Sequence, residues 1–189
     1  MSLQIKNLFP SAVGYSDNYI DSNLLSVSLE YLEKYGSSNS FNCPCISTVN
    51  TIFNILEEPP FQELKEIIRN RISEYCDAID VYDMCKITNS WINLYESGGY
   101  QDLHIHHNSV LSGVIYLQSE GKEDFVAQSS SYFFQPIPLL SDFTEGEYHH
   151  AFPSPVGRCY IFPSHLLHKT LPATSRRISL SFNLRYNVK

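Results

Sequence analysis

From Cys85 onward the apolar residues of this chain recur at about every second position; before it they recur at every third or fourth. That switch constrains the fold more than any other feature, because period two builds half-buried strands and period 3.6 builds amphipathic helices. Residues 23–35 place apolar groups at helical spacing, with Gly36 just past the end. Pro59 and Pro60 open a second helix in which Leu64, Ile67, Ile68, Ile72 and Tyr75 share one face. Ser37 to Asn42 reads as a polar loop between them. Strands are then expected at 86–95, 102–107, 110–118, 123–128, 146–152, 158–162, 167–172 and 177–186, separated by turn residues such as Gly98-Gly99, Gly121 and Gly157. Eight short strands after two helices predict a mainly β (α+β) chain. The expected form is a two-sheet jelly-roll barrel over 85–189 with an N-terminal helical support layer over 1–84. No Pro/Gly-rich linker divides the two regions, so the 189 residues are expected to form one domain.

Composition narrows the function classes. Thirteen tyrosines and eleven phenylalanines favour a packed β-rich core over disorder. A net charge of −7 argues against a nucleic-acid partner, whose phosphates need a basic surface. The charge is unevenly spread: after Glu147 there is no acid, while Arg158, Lys169, Arg176, Arg177, Arg185 and Lys189 follow. Either acids from the N-terminal half neutralise this stretch in space, or its positive field attracts a small anionic ligand. No signal-peptide pattern is visible, and no segment approaches the roughly 20 apolar residues that a membrane span needs. The five cysteines form no regular framework, and Cys43-Pro44-Cys45 has no second pair to complete a metal site. The expectation is a soluble, cytoplasmic protein with reduced thiols; a homodimer is compatible with it.

All seven histidines lie between positions 104 and 168. His104 and His106, spaced i, i+2, point to one face of an extended strand. His168, from a later strand, can complete a three-point face on a metal, and Arg177 nine residues on can hold an anion beside it. This is the layout of a non-haem iron site with a carboxylate cosubstrate. The bland alternative is a pair of satisfied surface histidines. Asp102 shares the expected strand face and is an alternative to His106 as the second ligand. Ser179 lies on the Arg177 face of the last strand and can donate to the same carboxylate, whereas Arg176 points the other way. Asn93 and Tyr95, on the strand before the histidine pair, are candidates to reach the keto-acid end, with a structural role favoured. His107 faces away from its neighbours, and His149, His150 and His165 are expected in loops.

Two blocks carry a family resemblance: Ser90-Trp91-Ile92-Asn93 leading to the run from Gly99 to Leu117, and Gly157 to Asn183 with Ile161-Phe162-Pro163-Ser164, His168 and Arg177-Ile178-Ser179. Together with Leu8-Phe9-Pro10 they resemble a 2-oxoglutarate–Fe(II) oxygenase family of marine bacteria and their phages, distantly related to prolyl 4-hydroxylases. The resemblance implies a double-stranded β-helix, bound Fe(II), and 2-oxoglutarate decarboxylated to succinate while O2 oxidises a second substrate. It implies metal binding by His104, His106 and His168, and places Tyr116 where hydroxylase relatives hold the cosubstrate carboxylate; a buried structural tyrosine is the other reading. His106 stands where most such enzymes carry the aspartate of His-x-Asp, and is read as a family trait. An all-histidine set leaves open a cupin-type dioxygenase without 2-oxoglutarate, and a non-catalytic metal- or ligand-binding jelly roll is the reading from another class. The oxidised substrate is unidentified, with a peptidyl proline or other protein side chain leading. Residues 128–147 are long enough for a lid or a fixed wall.

Overall fold

The computed structural model describes residues 11–38, 44–80, 85–128 and 149–186. The elements run β1 (Gly14–Asp17), α1 (Ser22–Tyr35), β2 (Ser37–Ser38), β3 (Ile46–Ser47), two 3-10 turns (Ile55–Glu57 and Pro59–Phe61) and α2 (Gln62–Ala78). The barrel strands follow: β4 (Cys85–Tyr95), β5 (Gln101–His104), β6 (Leu111–Gln118), β7 (Glu123–Gln128), β8 (His149–Pro153), β9 (Arg158–Pro163), β10 (Leu167–Thr170) and β11 (Arg177–Tyr186). A seven-stranded sheet has the order β1-β9-β6-β11-β4-β3-β2, and a four-stranded sheet the order β5-β10-β7-β8, with antiparallel pairing throughout.

Each face of the larger sheet has its own core. Leu32 of α1 and Leu64, Ile68 and Ile72 of α2 pack on Ile92, Ile115, Ile178, Leu180, Phe182 and Leu184. On the other face Tyr116, Tyr160 and Phe162 meet Phe125 and Ala127 of the smaller sheet. Alternation along β11 serves both: even-numbered residues go to the helical layer, and Arg177, Ser179 and Ser181 line the space between the sheets. The strand is buried on both faces, yet its sequence alternates, because the face between the sheets is lined by polar side chains.

The expected helices and all eight expected strands are present, with four differences. Ser37 and Ser38, read as loop, pair with β3, while β1 pairs with β9; both strands extend the larger sheet. β5 ends at His104, so His106 lies in the following turn and is tied down by its N–H to Ser164 O at 2.9 Å. His149 and His150 stand on strand β8, not in a loop. Ile67 is only half-buried beside its α2 neighbours. Leu8-Phe9-Pro10, Cys43 and residues 129–147 of the proposed lid lie outside the described residues.

Three of the C-terminal bases meet acids in space. Arg158 pairs with Asp17, Arg176 with Glu96 and Arg177 with Asp124. The first two pairs are exposed and contribute little. The third is buried.

Candidate metal and cosubstrate site

His104 and His168 are direct partners across the β5–β10 ladder, so their rings meet at 4.2 Å between centroids. His106 arrives from the turn after β5, and its Nε2 lies 3.2 Å from His168 Nε2. One ligand nitrogen from each of the three falls within 4.8 Å of the others. Adjacent ligands on a metal at roughly 2.1 Å lie about 3 Å apart, which the His106–His168 pair already matches. The outer nitrogens are held as well. His104 Nδ1 donates to Asp102 O at 2.7 Å and His168 Nδ1 to Leu166 O at 2.8 Å, which directs both Nε2 lone pairs inward.

Burial sets the protonation of the cluster. It lowers His104 and His168 below the usual imidazole range, and with the nearby His104 it brings His106 down to about 3. All three are neutral at neutral pH, the form that binds a metal. The donor set therefore fits one divalent ion. Asp102 does not join it: its side chain is exposed and accepts from Leu103 N–H at 2.7 Å.

A polar recess adjoins the histidines. Arg177 is 2% exposed, with its guanidinium 4.6 Å over the Tyr95 ring. Nη1 donates to Leu171 O at 3.2 Å and Nη2 to Thr170 Oγ1 at 3.0 Å, while the buried Nε has no partner. Tyr116, also buried, has an unpartnered hydroxyl, and burial raises its pKa, so it stays a donor. Ser179 is the register partner of Tyr116 on one side and of Asn93 on the other. Two buried donors without acceptors, one of them on an arginine and both beside a serine, suit a carboxylate. The cavity between histidines and arginine measures about 60 Å³, above the roughly 10–15 Å³ that one water occupies. Trp91, Phe125 and Phe162 form its apolar wall.

The expected residues are thus brought together: His104, His106 and His168 at one end, Arg177, Ser179 and Tyr116 at the other. Tyr95 serves as the platform under Arg177, and Asn93 bonds Ser181 Oγ at 3.4 Å on the same wall. The sequence reading missed Trp91, Gln101, Thr170 and Asp124. Thr170 had a signal, two residues beyond His168 on the same strand face; Asp124 had none.

Residues 89–183 match the family described as "Putative 2OG-Fe(II) oxygenase", a span that holds every histidine of the cluster and Arg177. Similar solved structures include a Pseudomonas putida prolyl-4-hydroxylase (15% identity, TM-score 0.62, 93% of each chain covered). The viral collagen prolyl hydroxylase of Paramecium Bursaria Chlorella virus-1, in complex with 2OG, is similar at 15% identity and TM-score 0.57, over 94% of this chain and 96% of that one. HygX from Streptomyces hygroscopicus, with nickel, 2-oxoglutarate and hygromycin B bound, is similar at 12% identity and TM-score 0.58, over 92% and 82%. No curated protein sequence matches the chain.

Proposed function

The chain belongs to the 2OG-Fe(II) oxygenase family and is an iron- and 2-oxoglutarate-dependent oxygenase, and on that premise we propose which residues do the work. His104, His106 and His168 would hold the iron, which would bind the cosubstrate and O2 at positions these residues do not fill. Arg177, Tyr116 and Ser179 take the distal carboxylate of 2-oxoglutarate. The observation that carries this reading is the pair of buried donors without acceptors, Arg177 Nε and Tyr116 Oη, in the cavity that the three imidazoles enter. Iron bound there supplies the coupling of 2-oxoglutarate decarboxylation to oxidation of a second substrate by O2.

The chain's own groups bind, orient and exclude water. The Asp102 and Leu166 carbonyls keep the His104 and His168 protons on Nδ1. Tyr95 and Thr170 hold the guanidinium at the cavity wall. Trp91, Phe125 and Phe162 keep the site dry, which strengthens the charge-assisted bonds to the carboxylate. A dioxygenase that uses no keto acid would have no occupant for these donors.

Three further parts belong to this reading. The oxidised substrate is a peptide side chain, supported by likeness of fold to prolyl hydroxylases, although HygX carries a small molecule on a similar fold. The chain is one domain, supported by the core that α1 and α2 share with the larger sheet. The setting is cytoplasmic, supported by the buried free thiol of Cys159, whose pKa burial pushes up to about 12. Among the described residues no helix is long and apolar enough to cross a membrane.

The test is anaerobic addition of Fe(II) and 2-oxoglutarate. A weak visible charge-transfer band is expected from keto-acid chelation. No band at saturating concentrations of both would overturn the reading.

A further inference from the structure

Asp124 stands behind Arg177, its Oδ1 3.4 Å from Arg177 Nη1. Ser154 Oγ donates to the other carboxylate oxygen at 2.6 Å, which fixes the group in place. Arg177 does not depend on Asp124 for its aim, because Leu171 O, Thr170 Oγ1 and the Tyr95 ring already hold the guanidinium. What Asp124 adds is charge. A carboxylate against the arginine that receives an anion opposes the ligand and weakens its binding.

That opposition is matched at the metal. A divalent ion on three neutral imidazoles keeps both its charges, whereas a His-x-Asp centre keeps one. Together with Arg177, an all-histidine site would face the 2-oxoglutarate dianion with three positive charges. Asp124 returns the total to two, the charge of the ligand. We propose that Asp124 is the charge-balancing partner of Arg177 and supplies, at the far end of the cosubstrate, the negative charge that His106 does not bring to the metal. The inference rests on the 2-oxoglutarate reading of this site. Balanced in this way, the pocket holds the dicarboxylate without trapping it, so that succinate can leave.

The test uses Mn(II)-loaded full-length protein, titrated calorimetrically with 2-oxoglutarate and with pyruvate, which chelates the metal but has no distal carboxylate. Four proteins are compared: the parent, Asp124→Asn, His106→Asp and the double variant. Asp124→Asn should bind 2-oxoglutarate about tenfold more tightly at low salt, with a steeper salt dependence, and leave pyruvate unchanged. His106→Asp should weaken 2-oxoglutarate by a similar factor, and the double variant should return close to the parent. The two sites do not touch, so their effects should add in free energy, and opposite tenfold changes then cancel in the double variant. Asp124→Asn binding 2-oxoglutarate no more tightly than the parent, or shifting pyruvate equally, would overturn the inference. If His106→Asp loses the metal, the Asp124→Asn comparison of the two keto acids decides alone. A parent protein that binds no 2-oxoglutarate would instead overturn the reading of the site itself, and this inference with it.

Discussion

Nε2 of His106 lies 3.2 Å from Nε2 of His168, with the two rings parallel to within 2°. His168 already donates through Nδ1 to Leu166 O, so its Nε2 is an acceptor. In the metal-free protein that contact is a hydrogen bond when His106 carries its hydrogen on Nε2, in competition with the Asn183 side chain, which also bonds this ring. A metal takes the place of that hydrogen, and the His106 proton moves to Nδ1. Nitrogen NMR of the chelator-treated protein should find His106 as the Nε2–H tautomer, and addition of Zn(II) should convert it. A His106 already in the Nδ1–H form without metal would contradict this.

Acid should destabilise the metal-free protein. Burial holds all three imidazoles below their ordinary pKa of about 6.5, His106 at about 3. In the unfolded chain they take up protons near pH 6.5, so below that pH the unfolded state binds more protons than the folded one. The stability contributed by the neutral cluster is full above pH 6.5 and is lost as pH falls towards 3. The urea midpoint of the chelator-treated protein should drop between pH 7 and pH 5, and less steeply in His106→Phe. Equal slopes in the two proteins would remove the histidines as the cause.

Removing a ligand should separate metal from fold. His104→Ala and His168→Ala should abolish Fe(II) binding while the circular dichroism spectrum stays near the parent's, because the apolar cores on either face of the larger sheet do not involve the metal. Both variants binding one equivalent of Fe(II) as tightly as the parent would show that the ligands lie elsewhere. His106→Asp should keep the metal, since it restores a commoner ligand set.

Arg177→Ala should weaken 2-oxoglutarate binding by roughly 30- to 1,000-fold, the loss of a buried charge-assisted contact of about 2–4 kcal/mol, with metal affinity unchanged. Arg177→Lys should recover only part, because an ammonium lacks the planar fork. Arg176→Ala is the control: its exposed pairing with Glu96 contributes little, so titration should give the parent's affinity. Equal affinities in the parent and Arg177→Ala would remove Arg177 from the cosubstrate site.

Gly113 sits on β6 between β9 and β11, where an added Cβ would meet Tyr160 O at 2.5 Å and collide with the Phe182 ring. Gly113→Ala should cost about 1–3 kcal/mol through overpacking, read as a lower urea midpoint. A midpoint equal to the parent's would show that the sheet yields there.

The sequence alone determined the order of elements and the candidate ligands, because both are written in local patterns. Period two made β4 and β11 visible, helical spacing made α1 and α2 visible, and His104-x-His106 with His168 and Arg177 was legible as a spaced set. The register of β11 followed from the same alternation, which turns Arg177 in and leaves Arg176 exposed. What the tertiary structure decided depends on partners far away in the chain. The i, i+2 rule required a strand through His106, yet β5 stops at His104, and His106 is aimed by its bond to Ser164 O. Asp102 was excluded as a ligand because its carboxylate turns out to Leu103 N–H. β1 and β2 are strands only because an edge of the larger sheet offers them unpaired hydrogen-bonding groups. Asp124 sits in an ordinary strand sequence, and nothing there marks it as the partner of Arg177. Periodicity records which face a residue turns to the core; which charge it meets there is settled only when the two sheets close on one another.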